Sequence, residues 1–62
     1  MTAGAELSSV ATALHEITRQ LTRIAESLAG TDRDDLAQLL VEVERALVTA
    51  GRRLDHVVDE LA

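Results

Sequence analysis

The sequence predicts an all-α protein, in which an antiparallel two-helix hairpin dimerises into a four-helix bundle. Large apolar residues recur in both halves of the chain with gaps that alternate between three and four, and a strong break at Gly30 separates the halves. Aromatic residues, Pro and Cys are all missing from the 62 residues. A chain this short, without disulfides, usually needs association to complete a core. We therefore treat residues 1–62 as a single helical-hairpin domain that pairs with itself.

The first helix is predicted over residues 5–29. Its apolar residues occupy the a and d positions of a heptad repeat, the spacing that keeps one edge of a helix against partner helices. These positions are Leu7, Val10, Leu14, Ile17, Leu21, Ile24 and Leu28. Leu at a with β-branched residues at d favours assemblies larger than a two-stranded coil. Small residues at the flanking e and g positions would let further helices approach, as in a four-helix bundle.

The connection is predicted to be short. Gly30 suits the left-handed conformation that ends many helices. Thr31 followed by Asp34, or Asp32 followed by Asp35, is typical of a helix N-terminus. A short connection makes the two helices antiparallel neighbours, and a turn centred near Gly30 would place His15 opposite Arg45.

The second helix is predicted over residues 33–61 and is expected to continue through Gly51, because the apolar repeat passes that residue in phase. The predicted interface positions are Leu36, Leu40, Val43, Leu47, Ala50, Leu54, Val57 and Leu61. The apolar arc extends further, to Leu39 on one flank and to Val41 and Val48 on the other. This arc is wider than the ~100° stripe of an ordinary surface helix. The excess predicts that two hairpins pack together, and it makes these three residues candidates for a surface shared with another protein.

Composition limits the partners. The net charge of −5 disfavours nucleic acid as the main partner, since binding to phosphates requires a surplus of cations. An RNA-binding hairpin is retained as an alternative because Arg19 and Arg23 lie one turn apart. No apolar run approaches the ~20 residues of a membrane span, and nothing resembles a secretory signal, so the expected location is the cytoplasm.

The sequence contains few groups for catalysis or metal binding. His56 and Glu60 are one helical turn apart, but a metal site needs three or four ligands, so we expect no metal and no cofactor. Glu44 and Asp55 lie near a flank of the apolar arc and are expected to reach an Arg or solvent. We identify no catalytic residue in this set.

His15 opens a segment with a more specific pattern. In the run His15-Glu16-Ile17-Thr18-Arg19-Gln20-Leu21-Thr22-Arg23-Ile24 the histidine is followed by an acid and an apolar residue, and Leu-Thr-Arg-Ile closes the run. This segment resembles the phosphoacceptor box of sensor histidine kinases, although Gln20 stands where that family has Pro. The segment 53–61 is similar to the end of that family's second helix. The resemblance implies a hairpin that dimerises into a four-helix bundle, with His15 as phosphoacceptor, Glu16 as the neighbouring acid and Thr22 as a supporting polar group.

Two functions from different classes follow. The favoured prediction is a small, non-enzymatic, self-associating protein that presents a helical surface to another helical protein, as a homodimer or alternatively as a tetramer. The second is a histidine-phosphotransfer or pseudo-kinase dimerisation module that uses His15.

Overall fold

A computed structural model describes residues 2–61 of the chain. Two helices, α1 (Ala3–Leu28) and α2 (Asp34–Leu61), pack against each other as an antiparallel hairpin. The Cα positions extend over 49 × 14 × 9 Å, and the radius of gyration is 14.4 Å, against about 11 Å for a compact domain of this length. The all-α hairpin predicted from the sequence is confirmed. The helix ends lie one or two residues from the predicted positions.

The connection between the helices closes through local hydrogen bonds. Gly30 has φ 78°, the left-handed conformation expected at a helix C-terminus. Its backbone N–H donates to Asp34 Oδ1 over 2.9 Å, and the Arg33 N–H donates to Thr31 Oγ1 over 3.1 Å. Thr31 and Asp34 thus both serve at the start of α2, as the sequence suggested, although the Asp34 carboxylate reaches Gly30 and not the backbone of Thr31.

Helix α2 is continuous through Gly51, as predicted. Gly51 is buried against α1, and its closest neighbour there is the ring of His15. A Cβ at residue 51 would lie 3.0 Å from His15 Cε1. The glycine therefore makes room for a side chain of α1 within an unbroken helix.

The predicted register of the hairpin is wrong. His15 lies against Gly51 and Asp55, not opposite Arg45. The Thr22 hydroxyl donates to Glu44, and Gly4 contacts Leu61 near the open end of the hairpin. Part of the reason is the turn, which runs over residues 29–33 and is centred on Thr31, not on Gly30; this alone shifts the facing residue by two positions. The contacts between the helices place the midpoint of the hairpin near residue 33, so the facing residue on α2 comes six positions later than expected.

The two helices meet through their a and e positions, not through a and d. The e position is the one that follows d in the heptad, and its small residues are the most buried in the hairpin. The buried residues in the described chain are Ala11, Ala25, Ala37 and Gly51. The leucines at the a positions of α1 lie beside them, half-buried, whereas the d positions Val10, Ile17 and Ile24 turn away from α2 and are exposed.

The left-handed turn gives a first prediction. Replacing Gly30 with Ala should lower the free energy of unfolding by about 1–2 kcal/mol, because a Cβ disfavours positive φ. Gly4→Ala is the matched control, since Gly4 lies in a helix and an added Cβ would meet its nearest atom at an ordinary distance of 3.4 Å. Denaturant titration of both variants measures the difference. Equal effects at the two positions would contradict the assigned role of Gly30.

Candidate functional site

One side of the hairpin is covered by exposed apolar side chains along its whole length. We call this side the open face. It comprises Val10, Ile17 and Ile24 from α1, and Leu39, Val43, Ala50, Val57 and Leu61 from α2. The large side chains among them are between 44% and 56% exposed. Large exposed apolar patches are uncommon on monomeric proteins and are typical of interaction surfaces.

The hairpin by itself lacks a core of large side chains. Within residues 2–61 the buried apolar side chains are alanines only, and no large side chain is fully buried. The accessible surface is 4565 Å², against about 3,900 Å² for a compact monomer of this size. The excess of several hundred Å² is comparable to the ~800 Å² that each partner buries in a standard protein interface.

The heptad positions explain why the apolar residues collect on one side. In both helices the e positions turn toward the neighbouring helix, so the d positions, about 100° earlier around each helix, project to a common side. The a positions lie between these directions and contribute to both surfaces. This is the arrangement of two adjacent helices in a four-helix bundle, where a and d point to the centre.

The opposite side of the hairpin, which we call the back face, is built around a polar contact between the helices. The Nε2 atom of His15 lies 3.0 and 3.1 Å from the two carboxylate oxygens of Asp55. The ring rests on Gly51, where the missing side chain leaves room for it. Both side chains stay about half exposed. Asp55 was expected to reach an Arg or solvent: it is about half exposed to solvent, and it also contacts an imidazole on the other helix.

A second polar contact borders a shallow groove nearer the turn. The hydroxyl of Thr22 donates to the Glu44 carboxylate, so Glu44 also reaches across the hairpin and not to an Arg. The groove encloses about 230 Å³. Its mainly apolar wall includes Ala25, Ala37 and Val41, with Glu26 and Glu44 at the rim.

The remaining charges lie on the surface. The guanidinium of Arg19 donates to Glu16, and this hydrogen bond and the positive charge lower the pKa of the Glu16 carboxyl. His56 Nε2 lies 3.9 Å from Glu60 Oε1, and both side chains are largely exposed. Among residues 2–61, no three His, Cys, Asp or Glu side chains come together as metal ligands. Neither helix in that range has an apolar stretch long enough to cross a membrane.

The residues predicted as interface and partner surface are divided between the two sides. The leucines at the a positions of α1 contact α2 and also border the open face, whereas the d positions belong to the open face alone. Of the three residues proposed for a shared partner surface, Leu39 lies on the open face, and Val41 and Val48 lie on the back face. No single flat surface can contact all three.

The sequence pattern was interpreted as using the small e positions for the approach of further helices, not for the contact within the hairpin, and it did not predict the His15–Asp55 contact. A signal was present for the first, because Ala11 and Ala25, like Ala37 and Gly51, are separated by multiples of seven residues. Such spacing places small residues along one edge of a helix, where another backbone can approach closely. No comparable signal linked His15 to Asp55, because their proximity depends on the register set by the turn.

The contact between His15 and Gly51 gives a prediction that a double-mutant cycle tests. Gly51→Ala should stabilise α2 by about 1 kcal/mol when His15 is also replaced by Ala, since Gly is the weaker helix former. With His15 present the gain should be smaller, because the ring must move away from the new methyl group. Thermal or denaturant unfolding at one protein concentration measures both gains, and an equal gain in the two backgrounds would show that the ring does not rest on Gly51.

Comparison of the chain with models of known protein families, with curated proteins and with solved structures finds no match. A proposal for the function must therefore rest on the geometry of the open and back faces.

Proposed function

We propose that this chain is a small, non-enzymatic interaction protein whose open face pairs with that of a second copy to form a four-helix bundle. The observation that carries the proposal is the apolar open face on a hairpin in which no large side chain among residues 2–61 is fully buried. Pairing two open faces would supply the missing core.

A second copy of the same chain suits the open face better than a smaller ligand does. The face runs the length of both helices, and the exposed d positions are β-branched residues or Ala, which match the seam of a multi-helix bundle. Charged residues are absent from the centre of the face, as is usual for the core of an interface. In the paired state, the a and d side chains of both helices would lie in one interior from which water is excluded.

The back face would remain outside such a bundle. Val48 is 37% exposed there, and Val41 lines the groove beside Glu44. We propose that this side, with its apolar patch and acidic rim, presents the surface for a further helical protein. The open face is then used for self-association, and the two interactions do not compete for the same residues.

The alternative of histidine phosphotransfer is less well supported. A phosphoryl group on Nε2 of His15 would be forced against the two carboxylate oxygens of Asp55, which lie 3.0 and 3.1 Å from that nitrogen. The Nδ1 side of the ring faces α2 at Gly51. Like charges at such a distance repel strongly. Direct access of a phosphodonor to the ring would first require the contact between the helices to open.

The RNA-binding alternative is weaker still. One of its two arginines, Arg19, is already paired with Glu16, and the net charge of the chain is −5. A gel shift at modest salt should therefore detect no complex with RNA.

A charge on the open face tests self-association. Val43→Glu would be tolerated in an isolated hairpin, where residue 43 is 45% exposed. In a bundle the same carboxylate would be buried without a partner, at a cost of about 3 kcal/mol or more for each copy. We expect the parent chain to sediment as a dimer with high helical content, and Val43→Glu to lose both the dimer and much of the helix by circular dichroism.

Thr49→Glu is the matched control, because it introduces the same charge two turns or less away, on a surface that stays exposed in either state. It should behave as the parent does. A parent chain that sediments as a helical monomer, or a Val43→Glu variant with the parent's melting temperature and mass, would overturn the proposal.

A phosphodonor assay separates the two functional classes. Incubating the chain with a small-molecule phosphodonor or a sensor kinase, followed by intact-mass measurement, should give no phosphorylated species. Transfer that is abolished by His15→Ala and retained by His56→Ala would support the phosphotransfer alternative instead.

A further inference from the structure

The observed register places the apolar residues of the two helices in layers across the open face. Three contacts fix it: Gly4 with Leu61, His15 with Gly51, and Thr22 with Glu44. Continuing this register along the heptads pairs each a position of α1 with an a position of α2, and each d position with a d position. The resulting layers are Leu7/Leu61, Val10/Val57, Leu14/Leu54, Ile17/Ala50, Leu21/Leu47, Ile24/Val43 and Leu28/Leu40.

The middle layer differs from the others. The layers at a positions contain Leu only, and the outer d layers pair Val with Val or Ile with Val. In the middle layer, Ile17 is 49% exposed and lies level with Ala50 in this register, and Ala50 is also exposed. Because Ala50 is smaller than the Val or Leu at the other positions of the repeat, we expect the α2 side of the open face to have a recess at mid-length, next to the larger Ile on α1. The next residue along α2 is Gly51, which the His15 ring contacts.

We propose that the recess at Ala50 receives Ile17 of a second copy, so that two hairpins pair in full axial register about the Ile17/Ala50 layer. This inference rests on the proposed self-association and specifies its register. Two Ile and two Ala side chains would then fill the central layer together. A large residue opposite a small one is the way packed layers interlock at native density.

The central position of this layer means that it meets its own copy in either orientation of the second hairpin, but only one orientation places Ile17 across from Ala50. With the two turns at the same end of the bundle, α1 of one copy lies across from α2 of the other, so each recess faces an Ile17. With the turns at opposite ends, α1 lies across from α1, and Ala50 would face Ala50. The proposed packing therefore requires the two turns at the same end. The outer layers also match in either case, because Leu layers meet Leu layers and β-branched layers meet β-branched layers. A shift by one heptad would lose this match, since the recess would then face Val10 or Ile24, and two layers at each end would lose their partners.

An exchange of residues within the layer tests the inference on the full chain. Ala50→Ile would place four large side chains in the layer, and Ile17→Ala would leave four small ones. We expect each single variant to raise the dissociation constant of the dimer at least about tenfold, through overpacking or through a cavity. The double variant Ile17→Ala/Ala50→Ile restores two large and two small side chains, and should recover to within about threefold of the parent.

The measurement is the concentration dependence of thermal unfolding, followed by circular dichroism, with sedimentation to confirm the mass of each species. Thr49→Ile is the control for adding an Ile to the same turn of α2 outside the layer, and it should leave the dissociation constant unchanged. Failure of the double variant to recover, or an Ala50→Ile variant as tight as the parent and Thr49→Ile, would overturn the central-layer assignment while leaving self-association intact. A parent chain that is monomeric at every concentration would instead overturn the proposed function, and the inference with it.

Discussion

The contact of the two helices along their small e positions is the constraint on which the rest of the structure depends. Within residues 2–61, the buried residues are Ala11, Ala25, Ala37 and Gly51, and the large apolar residues lie beside that contact and not within it. Burial of apolar surface is the main favourable contribution to folding. A single copy of the hairpin gains little of it, because its large apolar side chains stay exposed or half-buried.

The sequence predicted the helices well because their signals are local. The alternation of three and four residues needs no knowledge of tertiary structure, and Gly30 with Thr31 and Asp34 marks the turn by backbone chemistry. The register was not predictable in the same way. It depends on where the midpoint of the hairpin falls, and moving that midpoint by a few residues shifts every facing pair by twice that number. For this reason the partners of His15 and Glu44 became visible only in the structure.

A heptad pattern also leaves open which partner each position contacts. Periodicity identifies the a and d edge of α1, but a helix in a bundle has neighbours on both sides of that edge. The structure assigns the e side to the neighbouring helix of the same chain, which leaves Ile17 and Val43 outward. The two interhelical polar contacts lie on the back face. Half-exposed pairs of this kind contribute little to stability. Each pair nevertheless joins a side chain of α1 to a carboxylate of α2 at a defined level, and so favours one register of the two helices.

A hairpin whose buried apolar side chains within residues 2–61 are all alanine has a consequence for its abundance in a cell under the proposed self-association. Where pairing completes folding, mass action governs it, and the folded fraction would rise with the amount of chain present. Newly made copies at low level would spend more time open and accessible to proteases than the same copies at high level. Turnover would then slow as synthesis increases, so the steady-state level would rise more steeply than the rate of synthesis.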